Sequence, residues 1–439
     1  LCGVGGNGGD GFIIAQELAN KGWDIVTTIV GDQKVIKGDA LKALNKLKLK
    51  LLNFNDINLD KTKLFIDAIY GIGLSRKINK KECIILNTIN NHTAPIIAID
   101  IPSGVDCNNG QILGFAPFCD LTITFSTLKT GHILLPGSEK INKIKVVDIG
   151  ISKDFINKME PNIKINNKNQ WAKEINWPKI DDHKYSRGYS LVIGGPKKMT
   201  GASRLAAISA QRAGSGIVAL ASEKEAEEIY FISLTSQLVK SYKNIKEYNA
   251  IINESRIDSI VIGPGLDIST KSILKIKSAL KTNKRIVLDA GAISCFKDKL
   301  GIFIKILSGK DVILTPHEGE LKSILPNLSG NLISKALKAA KILNTIVVLK
   351  GATTVIASPN NEALVNPAGA KWLSTAGSGD VLAGIIGGLL SNKMKTYYAA
   401  AYGVWLHSEA GKYLGPGLIA EDIPNTLTKV LKNLEKTNS

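Results

Sequence analysis

The chain opens with LCGVGGNGGDGFIIAQEL (residues 1–18), and this stretch gives the first indication of the fold. Residues 3–8 (GVGGNG) are a literal G-x-G-x-x-G, and an apolar helical pattern follows over residues 12–19. A glycine-rich turn between a strand and a helix is typical of a parallel α/β sheet with a ligand at the helix N-terminus. Because the glycines follow Leu1 almost at once, we expect the first strand to be missing and the first domain to be truncated at its N-terminus.

Strand and helix patterns alternate along the rest of the chain, in two series. The predicted strands are nearly continuous apolar runs, which are typical of parallel strands covered on both faces. They lie at 24–30, 64–71, 95–104, 120–127 and 144–150, and then at 190–195, 216–222, 259–265, 285–291, 311–316 and 345–351. We therefore predict two tandem three-layer α/β/α domains, a Rossmann-like one at 1–152 and another at 183–439. Polar, Asn- and Lys-rich residues 153–182 are predicted to be a linker.

The composition is that of a globular protein with a large core. Of 439 residues, 44% are apolar and 21% charged, and no apolar run has membrane-spanning length. The formal charge is +18, but the lysines are spread along the chain, which favours solvated surface lysines over a nucleic-acid interface. Alternatively, the positive charge creates an electrostatic field that attracts anionic metabolites. Five scattered cysteines without C-x-x-C spacing favour a reducing cytoplasm and argue against a zinc site.

Polar residues in the first domain are predicted to meet at one edge of the sheet. Asp10 in the first helical turn would repel a pyrophosphate, so the loop favours sugar hydroxyls, a nicotinamide-like ring or a cation. Asp67 and Asp100 end predicted strands, where ligands of open parallel sheets bind. Asn7, Asp67 and Ser103 are hard oxygen donors that are able to share one cation. The alternative is that each acidic residue merely caps a loop.

The second domain carries its most informative motif near its end. Residues 377–379 (GSG) precede the predicted helix 380–390 and form a cradle for a transferring phosphoryl group. Asp380 beside it is able to accept the proton of an attacking hydroxyl, although a plain helix cap is the alternative. Residues 350–354 (KGATT) lack Walker A spacing but are able to line a nucleotide pocket. His317 is equally compatible with a loop position and with ligand contact.

Three stretches of the first domain resemble the NAD(P)H-hydrate epimerase family over residues 1–150: VGGNGGDGFIIAQEL (4–18), DAIYGIGLSR (67–76) and AIDIPSGVD (98–106). The resemblance implies that Asn7, Asp67 and Ser103 bind a potassium ion. It also implies contacts to the hydrated dinucleotide from Gly6, Asn7, Gly8, Gly9, Asp10, Gly71, Ile72, Gly73, Leu74, Ser75, Arg76, Lys77 and Asp100. The sequence departs from the family at Gly6, where Asn is usual, and in the helical segment that the family carries before the loop.

Five stretches of the second domain resemble the ADP/ATP-dependent NAD(P)H-hydrate dehydratase family, of ribokinase-like fold, over residues 183–420. They are SLVIGGPKKMTGASRLAA (190–207), VIGPGLD (261–267), LTPHEGEL (314–321), VLKGATTVIA (348–357) and STAGSGDVLAG (374–384). The resemblance implies hydrate contacts from Ala202, Gly265, His317 and Asp380, and nucleotide contacts from Lys350, Gly351, Ala352, Thr353, Thr354 and Gly379. The departures are Gly291, where Asp is usual, and Asp267, where Gly is usual.

The two resemblances in this order imply a chain that repairs hydrated NADH and NADPH. The first domain would interconvert the R and S hydrates, and the second would dehydrate the S form with Asp380 as the base. Magnesium, ADP in preference to ATP, and a homo-oligomer are expected from the family. One alternative is a ribokinase-like small-molecule kinase with a non-catalytic first domain. The other is a first domain that binds RNA, since related domains serve as scaffolds in RNA-decapping proteins and the formal charge is +18.

Overall fold

The computed structural model describes residues 1–159 and 162–436, and the chain divides into two compact units, Leu1–Glu160 and Pro161–Ser439. In the first unit the helices are α1 (Gly6–Asn20), α2 (Gly38–Lys46), α3 (Lys80–Asn90) and α4 (Lys153–Lys158), and the strands are β1 (Phe65–Asp67), β2 (Ile96–Ile99), β3 (Cys119–Phe125) and β4 (Ile141–Val147). The four strands form a parallel sheet in the order β1-β2-β3-β4.

Isolated parallel bridges extend the first sheet beyond β1. Cys2 bridges to Ala68 and to Ile29, and Thr27 bridges to Leu51. Residues 1–3 therefore lie between Ile29 and Ala68, in the position of the first strand, which the sequence predicts to be missing. The chain runs outward from this position in both directions, so the strand order reverses between residues 1–3 and β1. Such a switch point is where open α/β sheets bind ligands.

The second unit contains a ten-stranded sheet with helices on both faces. Its strands are β5 (Ile163–Ile165), β6 (Tyr189–Ile193), β7 (Ile217–Glu223), β8 (Leu238–Tyr242), β9 (Ser259–Ile262), β10 (Arg285–Leu288), β11 (Val312–Leu314), β12 (Ile346–Leu349), β13 (Thr354–Ala357) and β14 (Ala363–Asn366). Its helices are α5 (Lys168–Trp171), α6 (Thr200–Arg212), α7 (Glu227–Ser233), α8 (Ile245–Ile252), α9 (Thr270–Lys281), α10 (Gly291–Ser294), α11 (Leu300–Leu307), α12 (Glu318–Ile324), α13 (Leu332–Leu343), α14 (Ser378–Ser391), α15 (Thr396–Leu414) and α16 (Asp422–Lys436).

The strand order of this sheet is β5-β14-β13-β12-β11-β10-β9-β6-β7-β8. The seven strands from β12 to β8 in this order are parallel, whereas β13 pairs antiparallel with both of its neighbours. The strand order reverses between β6 and β9, which gives the second unit its own switch point. The predicted fold class, two α/β/α domains with parallel sheets, is confirmed.

The buried helix α14 is fixed against α6 by close backbone contact. A Cβ on Gly384 would lie 2.2 Å from the Ala206 carbonyl oxygen, and one on Gly388 would lie 2.3 Å from that of Ala210. Only glycine permits this approach, because any side chain would push the two helices apart. The packing sets the position of the α14 N-terminus, where the predicted phosphoryl cradle lies.

Residues 162–182, which the sequence analysis assigns to a linker, lie within the second unit. Strand β5 pairs with the edge strand β14, and Trp171 is fully buried in the core. Strands β8, β13 and β14 were also not predicted. No helix of residues 1–159 and 162–436 is long and apolar enough to cross a membrane. All five cysteines are free thiols.

Candidate functional sites

Asp67 and Ser103 meet at the switch point of the first unit. The Ser103 hydroxyl donates to Asp67 Oδ1 at 2.5 Å, and the Ser103 backbone N–H donates to Oδ2 at 2.8 Å. Both residues are fully buried. Burial raises the pKa of Asp67, against the opposing effect of the Ser103 hydrogen bonds. The site is therefore a buried carboxylate that is held by neutral donors.

Asn7 lies beside this pair, in the first turn of α1. Its Nδ2 is buried and has no hydrogen-bond partner among the described residues. A Cβ on Gly71 would lie 3.2 Å from Asn7 Cγ, and the neighbouring Tyr70 N–H donates to the Ser103 hydroxyl at 2.8 Å. The three predicted cation ligands thus lie close together, because Tyr70 contacts Ser103 and the adjacent Gly71 contacts Asn7.

The other predicted residues of the first unit line the two sides of the switch point. Helix α1 begins at Gly6, so residues 6–10 lie in its first turns rather than in a loop. Residues 71–77 form the loop after β1, with Leu74 buried in the core and Arg76 stacked 6.0 Å above the Tyr70 ring. The Leu74 side chain therefore packs in the interior, which leaves the backbone of Leu74 for the predicted contact to a ligand.

Asp100 follows β2 and forms an ion pair that the sequence analysis did not predict. Lys129 Nζ donates to Asp100 Oδ1 at 2.6 Å, and the Thr124 hydroxyl donates to the same oxygen at 2.9 Å. Asp10, in the first turns of α1, interacts electrostatically with Asp100. Partial burial raises the pKa of Asp10, and the negative charge of Asp100 adds to the increase. Two acidic groups and one ammonium therefore share this side of the unit.

The second unit holds a similar ion pair, at the ends of β10 and β12. Lys350 Nζ donates to Asp289 Oδ1 at 2.7 Å, and so does the Thr315 hydroxyl, at 2.7 Å. Asp289 is 1% exposed. Burial disfavours the charged form of Lys350, but the carboxylates of Asp289 and Glu320 raise its pKa overall. Lys350 is therefore an ammonium that is held in place by a buried carboxylate.

Asp380 lies next to this pair, in the first turn of α14. Burial raises the pKa of Asp380 to about 6, and the negative charge of Asp289 adds to the increase. Gly377 caps the helix with a φ of +90°, and a Cβ on Gly379 would lie 3.2 Å from Lys350 Nζ. The Asp380 carboxylate thus lies among the N–H groups of the helix N-terminus and the Lys350 ammonium. It is able to take up a proton near neutral pH.

The remaining predicted residues of the second unit lie around this centre. Gly265, with a φ of +71°, is next to Ala202, since its Cβ would lie 3.4 Å from that of Ala202. His317 caps α12: its Nδ1 accepts the Glu320 N–H at 3.1 Å, while its side chain stays exposed. The His317 backbone also bridges to Lys350.

Residues 350–353 form the turn between β12 and β13, and Thr354 begins β13. The Thr354 hydroxyl donates to the Gly351 carbonyl oxygen at 3.1 Å, Ala352 is exposed and Thr353 is buried. This turn begins at Lys350, so the predicted nucleotide contacts lie beside the ion pair. The structure thus brings the predicted residues of the second unit to one edge of the sheet.

The two departures from the family pattern lie in adjoining loops, because Gly291 packs against Leu266, the residue before Asp267. A Cβ on Gly291 would lie 2.1 Å from the Leu266 carbonyl oxygen, so an acidic side chain there would require the backbone to move. Asp267 accepts a hydrogen bond from the Ser272 hydroxyl at 2.8 Å, within its own loop and helix α9. Among residues 1–159 and 162–436, no three His, Cys, Asp or Glu side chains are grouped as a metal site.

The comparisons with known proteins agree with this arrangement. Residues 190–432 match the family model described as NAD(P)H-hydrate dehydratase, and residues 1–131 match that of the YjeF-related protein N-terminus. The bifunctional NAD(P)H-hydrate repair enzyme Nnr of Moorella thermoacetica is 30% identical, over 99% of this chain and 87% of the relative. That of Dictyoglomus turgidum is 33% identical, over 96% of this chain and 86% of the relative.

Solved structures resemble the second unit. An ADP/ATP-dependent NAD(P)H-hydrate dehydratase from Bacillus subtilis, co-crystallised with ATP/Mg²⁺, has a TM-score of 0.55 and 25% identity and covers 62% of this chain and 99% of its own. A ribokinase-like superfamily protein from Enterococcus faecalis has a TM-score of 0.56 at 23% identity, covering 62% of this chain and 97% of its own, which supports the fold alone. The chain belongs to the family of bifunctional NAD(P)H-hydrate repair enzymes, with an epimerase-type first domain and an NAD(P)H-hydrate dehydratase second domain.

Proposed function

We propose that the second domain dehydrates the S form of hydrated NADH and NADPH with Asp380 as the general base. The observation that carries this proposal is the position of Asp380: a carboxylate with a pKa of about 6, at a glycine-rich helix N-terminus, beside the Lys350 ammonium. A base is most effective when its pKa lies near the working pH. The first domain supplies the S form by interconverting the two epimers.

The proposed reaction proceeds in two steps. In the first, the Asp380 carboxylate takes the proton of the ring hydroxyl while the hydroxyl oxygen attacks the terminal phosphoryl group, and the bond from phosphorus to the nucleotide oxygen breaks. In the second, the ring C–O bond breaks, phosphate leaves, and loss of a proton from the adjacent ring carbon restores the double bond. The products are NAD(P)H, phosphate and the shortened nucleotide.

The groups around Asp380 are suited to stabilise the transferred phosphoryl group. The N–H groups at the start of α14 and the Lys350 ammonium offer positive charge where negative charge accumulates. Magnesium fits as an ion that enters with the nucleotide phosphates: Asp289 and Glu320 add negative charge near Asp380, yet the described carboxylates are not grouped as a metal site. Such an ion neutralises phosphate charge and needs few protein ligands.

Potassium fits the first domain at Asn7, Asp67 and Ser103. Asp67 is a buried carboxylate that receives hydrogen bonds from neutral donors. A monovalent cation would balance its negative charge. Asn7, whose buried side-chain nitrogen has no partner within the part of the chain that the structure describes, offers an amide oxygen to the same ion. By the family resemblance, residues 6–10, residues 71–77 and Asp100 would then bind the hydrated dinucleotide around it.

The test is to mix the full chain with both epimers of NADPH hydrate, ADP and Mg²⁺, and to follow the absorbance of NADPH. We expect complete recovery, faster with ADP than with ATP and faster in K⁺ than in Na⁺. A stop at the S fraction would show that the epimerase half is inactive. Equal or faster turnover with ATP would contradict the ADP preference. A stable phosphorylated product in place of free phosphate would favour the kinase alternative.

A homo-oligomer and a cytoplasmic location stay predictions. The five free thiols are compatible with a reducing compartment. Size-exclusion chromatography with light scattering would give the oligomeric state. RNA binding by the first domain would require a mobility shift that weakens steeply with salt, and we expect none.

A further inference from the structure

The ammonium of Lys129 is anchored on three acceptors in the first unit. It donates to Asp100 Oδ1 at 2.6 Å, to the Thr124 hydroxyl at 2.7 Å and to the Phe125 carbonyl oxygen at 3.2 Å. Its side chain is 19% exposed and that of Asp100 is 10% exposed. An ammonium has three N–H donors, so this one is saturated by protein acceptors. Lys129 is therefore placed to act on Asp100 rather than to bind a ligand itself.

The backbone of Asp100 is held just as firmly as its side chain. Asp100 has a φ of +67°, a left-handed conformation that is uncommon outside glycine. Its N–H donates to the Ile123 carbonyl oxygen at 2.7 Å, and its carbonyl oxygen lies 2.9 Å from His132 Nε2. A strained residue at the end of a strand persists when its surroundings fix it, which is common at functional sites.

His132 connects this backbone contact to Lys129. Its Nδ1 accepts a hydrogen bond from the Lys129 backbone N–H at 3.1 Å, so the proton of the neutral ring is on Nε2. Nε2 therefore donates to the backbone carbonyl oxygen of Asp100. Burial lowers the pKa of His132 to about 4, which keeps the ring neutral. Residues 129–132 therefore hold both the main chain and the carboxylate of Asp100.

We propose that Lys129 is a positioning residue of the epimerase site, acting through Asp100. Within residues 1–159 and 162–436, Lys129 and Thr124 both bind Oδ1, and no protein donor reaches Oδ2. That oxygen is left to accept a hydrogen bond from the hydrated nicotinamide ring. The inference rests on the proposed contact between Asp100 and the hydrate, and it adds the group that fixes the carboxylate.

The negative charge of Asp10 gives Lys129 a second effect. Asp10 and Asp100 interact electrostatically across the switch point, and two unpaired carboxylates on one site repel each other. The Lys129 ammonium balances one of them. Without it, the Asp100 side chain would lose its fixed rotamer and turn away from Asp10. The expected cost is misplacement of one hydrogen bond to the substrate rather than loss of binding as a whole.

The experiment compares Lys129→Met, Lys129→Arg, Asp100→Asn and the double variant Asp100→Asn/Lys129→Met in the full chain. Epimerase activity is measured without nucleotide, as conversion of purified R hydrate of NADPH into the S form, resolved by chromatography. Dehydratase activity on the S form with ADP and Mg²⁺ serves as the internal measure of intact enzyme. Lys42→Met is the matched control, because Lys42 pairs with Asp39 in the same unit but both side chains are exposed.

We expect Lys129→Met to lower the epimerase kcat/KM about tenfold to hundredfold, mainly in kcat, because a misplaced group costs this much. Lys129→Arg restores part of the loss by keeping a cation at the position. The double variant is no worse than Asp100→Asn alone, since Lys129 acts through Asp100. We expect dehydratase activity to be unchanged in all of these variants, and both activities to be unchanged in the Lys42→Met control.

Different results overturn different parts. A large loss in Asp100→Asn with little change in Lys129→Met rejects the role of Lys129 and leaves Asp100 in place. Little change in Asp100→Asn rejects the proposed substrate contact of Asp100. Losses that multiply in the double variant show that Lys129 acts independently of Asp100. If Lys129→Met unfolds the first domain, as seen in its unfolding transition, an Arg variant that folds but recovers no activity also rejects the inference.

Discussion

The two domains share no motif, yet each holds an aspartate in the same way. In both, the aspartate directly follows a parallel strand. One of its carboxylate oxygens receives hydrogen bonds from a lysine ammonium and a threonine hydroxyl on nearby strands of the same sheet or at their ends. The members are Asp100, Thr124 and Lys129 in the first domain, and Asp289, Thr315 and Lys350 in the second. A second aspartate lies in the first turns of a nearby glycine-rich helix, Asp10 in α1 and Asp380 in α14.

The difference between the two sites is burial. As whole residues, Asp289 is 1% exposed and Asp100 is 7% exposed, and Asp10, which interacts with Asp100, is only partly buried. Burial and the nearby Asp289 bring the pKa of Asp380 to about 6. On the proposed function, this arrangement places Asp380 as a base with a pKa near neutral in the second domain and holds Asp100 as a hydrogen-bond acceptor in the first. On this proposal, the two sites differ in how deeply the surroundings bury the ion pair, and not in the groups that form the pair.

The largest expected effect separates the two domains outright. Asp380→Asn removes the base but keeps the size of the side chain, so we expect dehydratase kcat to fall about 10²- to 10⁴-fold. Epimerase activity, measured as R-to-S conversion in the same sample, should stay at the level of the unaltered chain. Near-normal NADPH recovery by this variant would remove Asp380 as the base.

Loss of the lysine should be more damaging in the second domain than in the first. Lys350→Met leaves the buried Asp289 carboxylate unpaired, which typically costs about 3 kcal/mol of folding stability, in addition to the loss of phosphoryl stabilisation. We expect about a 10²- to 10³-fold fall in dehydratase kcat/KM. Adding Asp289→Asn should restore stability but not activity. Chemical unfolding and steady-state kinetics measure the two parts, and full recovery of activity in the double variant would contradict the contact of Lys350 with the nucleotide.

The pH profile provides a test of the electrostatic part of the comparison. Since Asp380 must be ionised to act, dehydratase kcat/KM should fall as the pH drops below about 6, the pKa of Asp380. Asp289→Asn removes a negative charge that contributes to this raised pKa, so the acid limb should move to lower pH. A limb that stays in place in this variant would show that burial alone sets the pKa of Asp380.

How much of these sites the sequence predicts depends on how local the signal is. The glycines of residues 377–379 and Asp380 are contiguous and were found together. Lys350 and Asp289 are 61 residues apart, and nothing in the surrounding letters indicates that their side chains meet. The family resemblance points to Lys350 as a nucleotide contact, whereas its carboxylate partner becomes visible only once β10 and β12 lie in one sheet.

The same limit explains the errors in the fold. Strand β5 (IKI) is short and follows a polar segment, and its partner β14 lies about two hundred residues further along the chain, so no local pattern indicates the pairing. Helix α1 begins at Gly6 although glycine is a poor helix former. A Cβ on Gly8 would lie 1.8 Å from the Gly3 carbonyl oxygen. Close packing against residues 1–3 therefore selects glycine at position 8. This tertiary contact overrides the low helix propensity of glycine.

The smallest expected effect is the most specific comparison of the two ion pairs. Thr124→Val and Thr315→Val each remove one hydroxyl donor from the paired aspartate with almost no change in volume. Both threonines are fully buried, but Asp289 is less exposed than Asp100, and a hydrogen bond to a charged group counts for more where water cannot reach that group. We therefore expect a several-fold loss of dehydratase kcat/KM in Thr315→Val, and about twofold or less of epimerase kcat/KM in Thr124→Val. The Lys129 and Lys350 ammonium groups still bind their aspartates after these changes. Equal losses in the two variants would therefore mean that both carboxylates are shielded alike and that burial does not distinguish the sites.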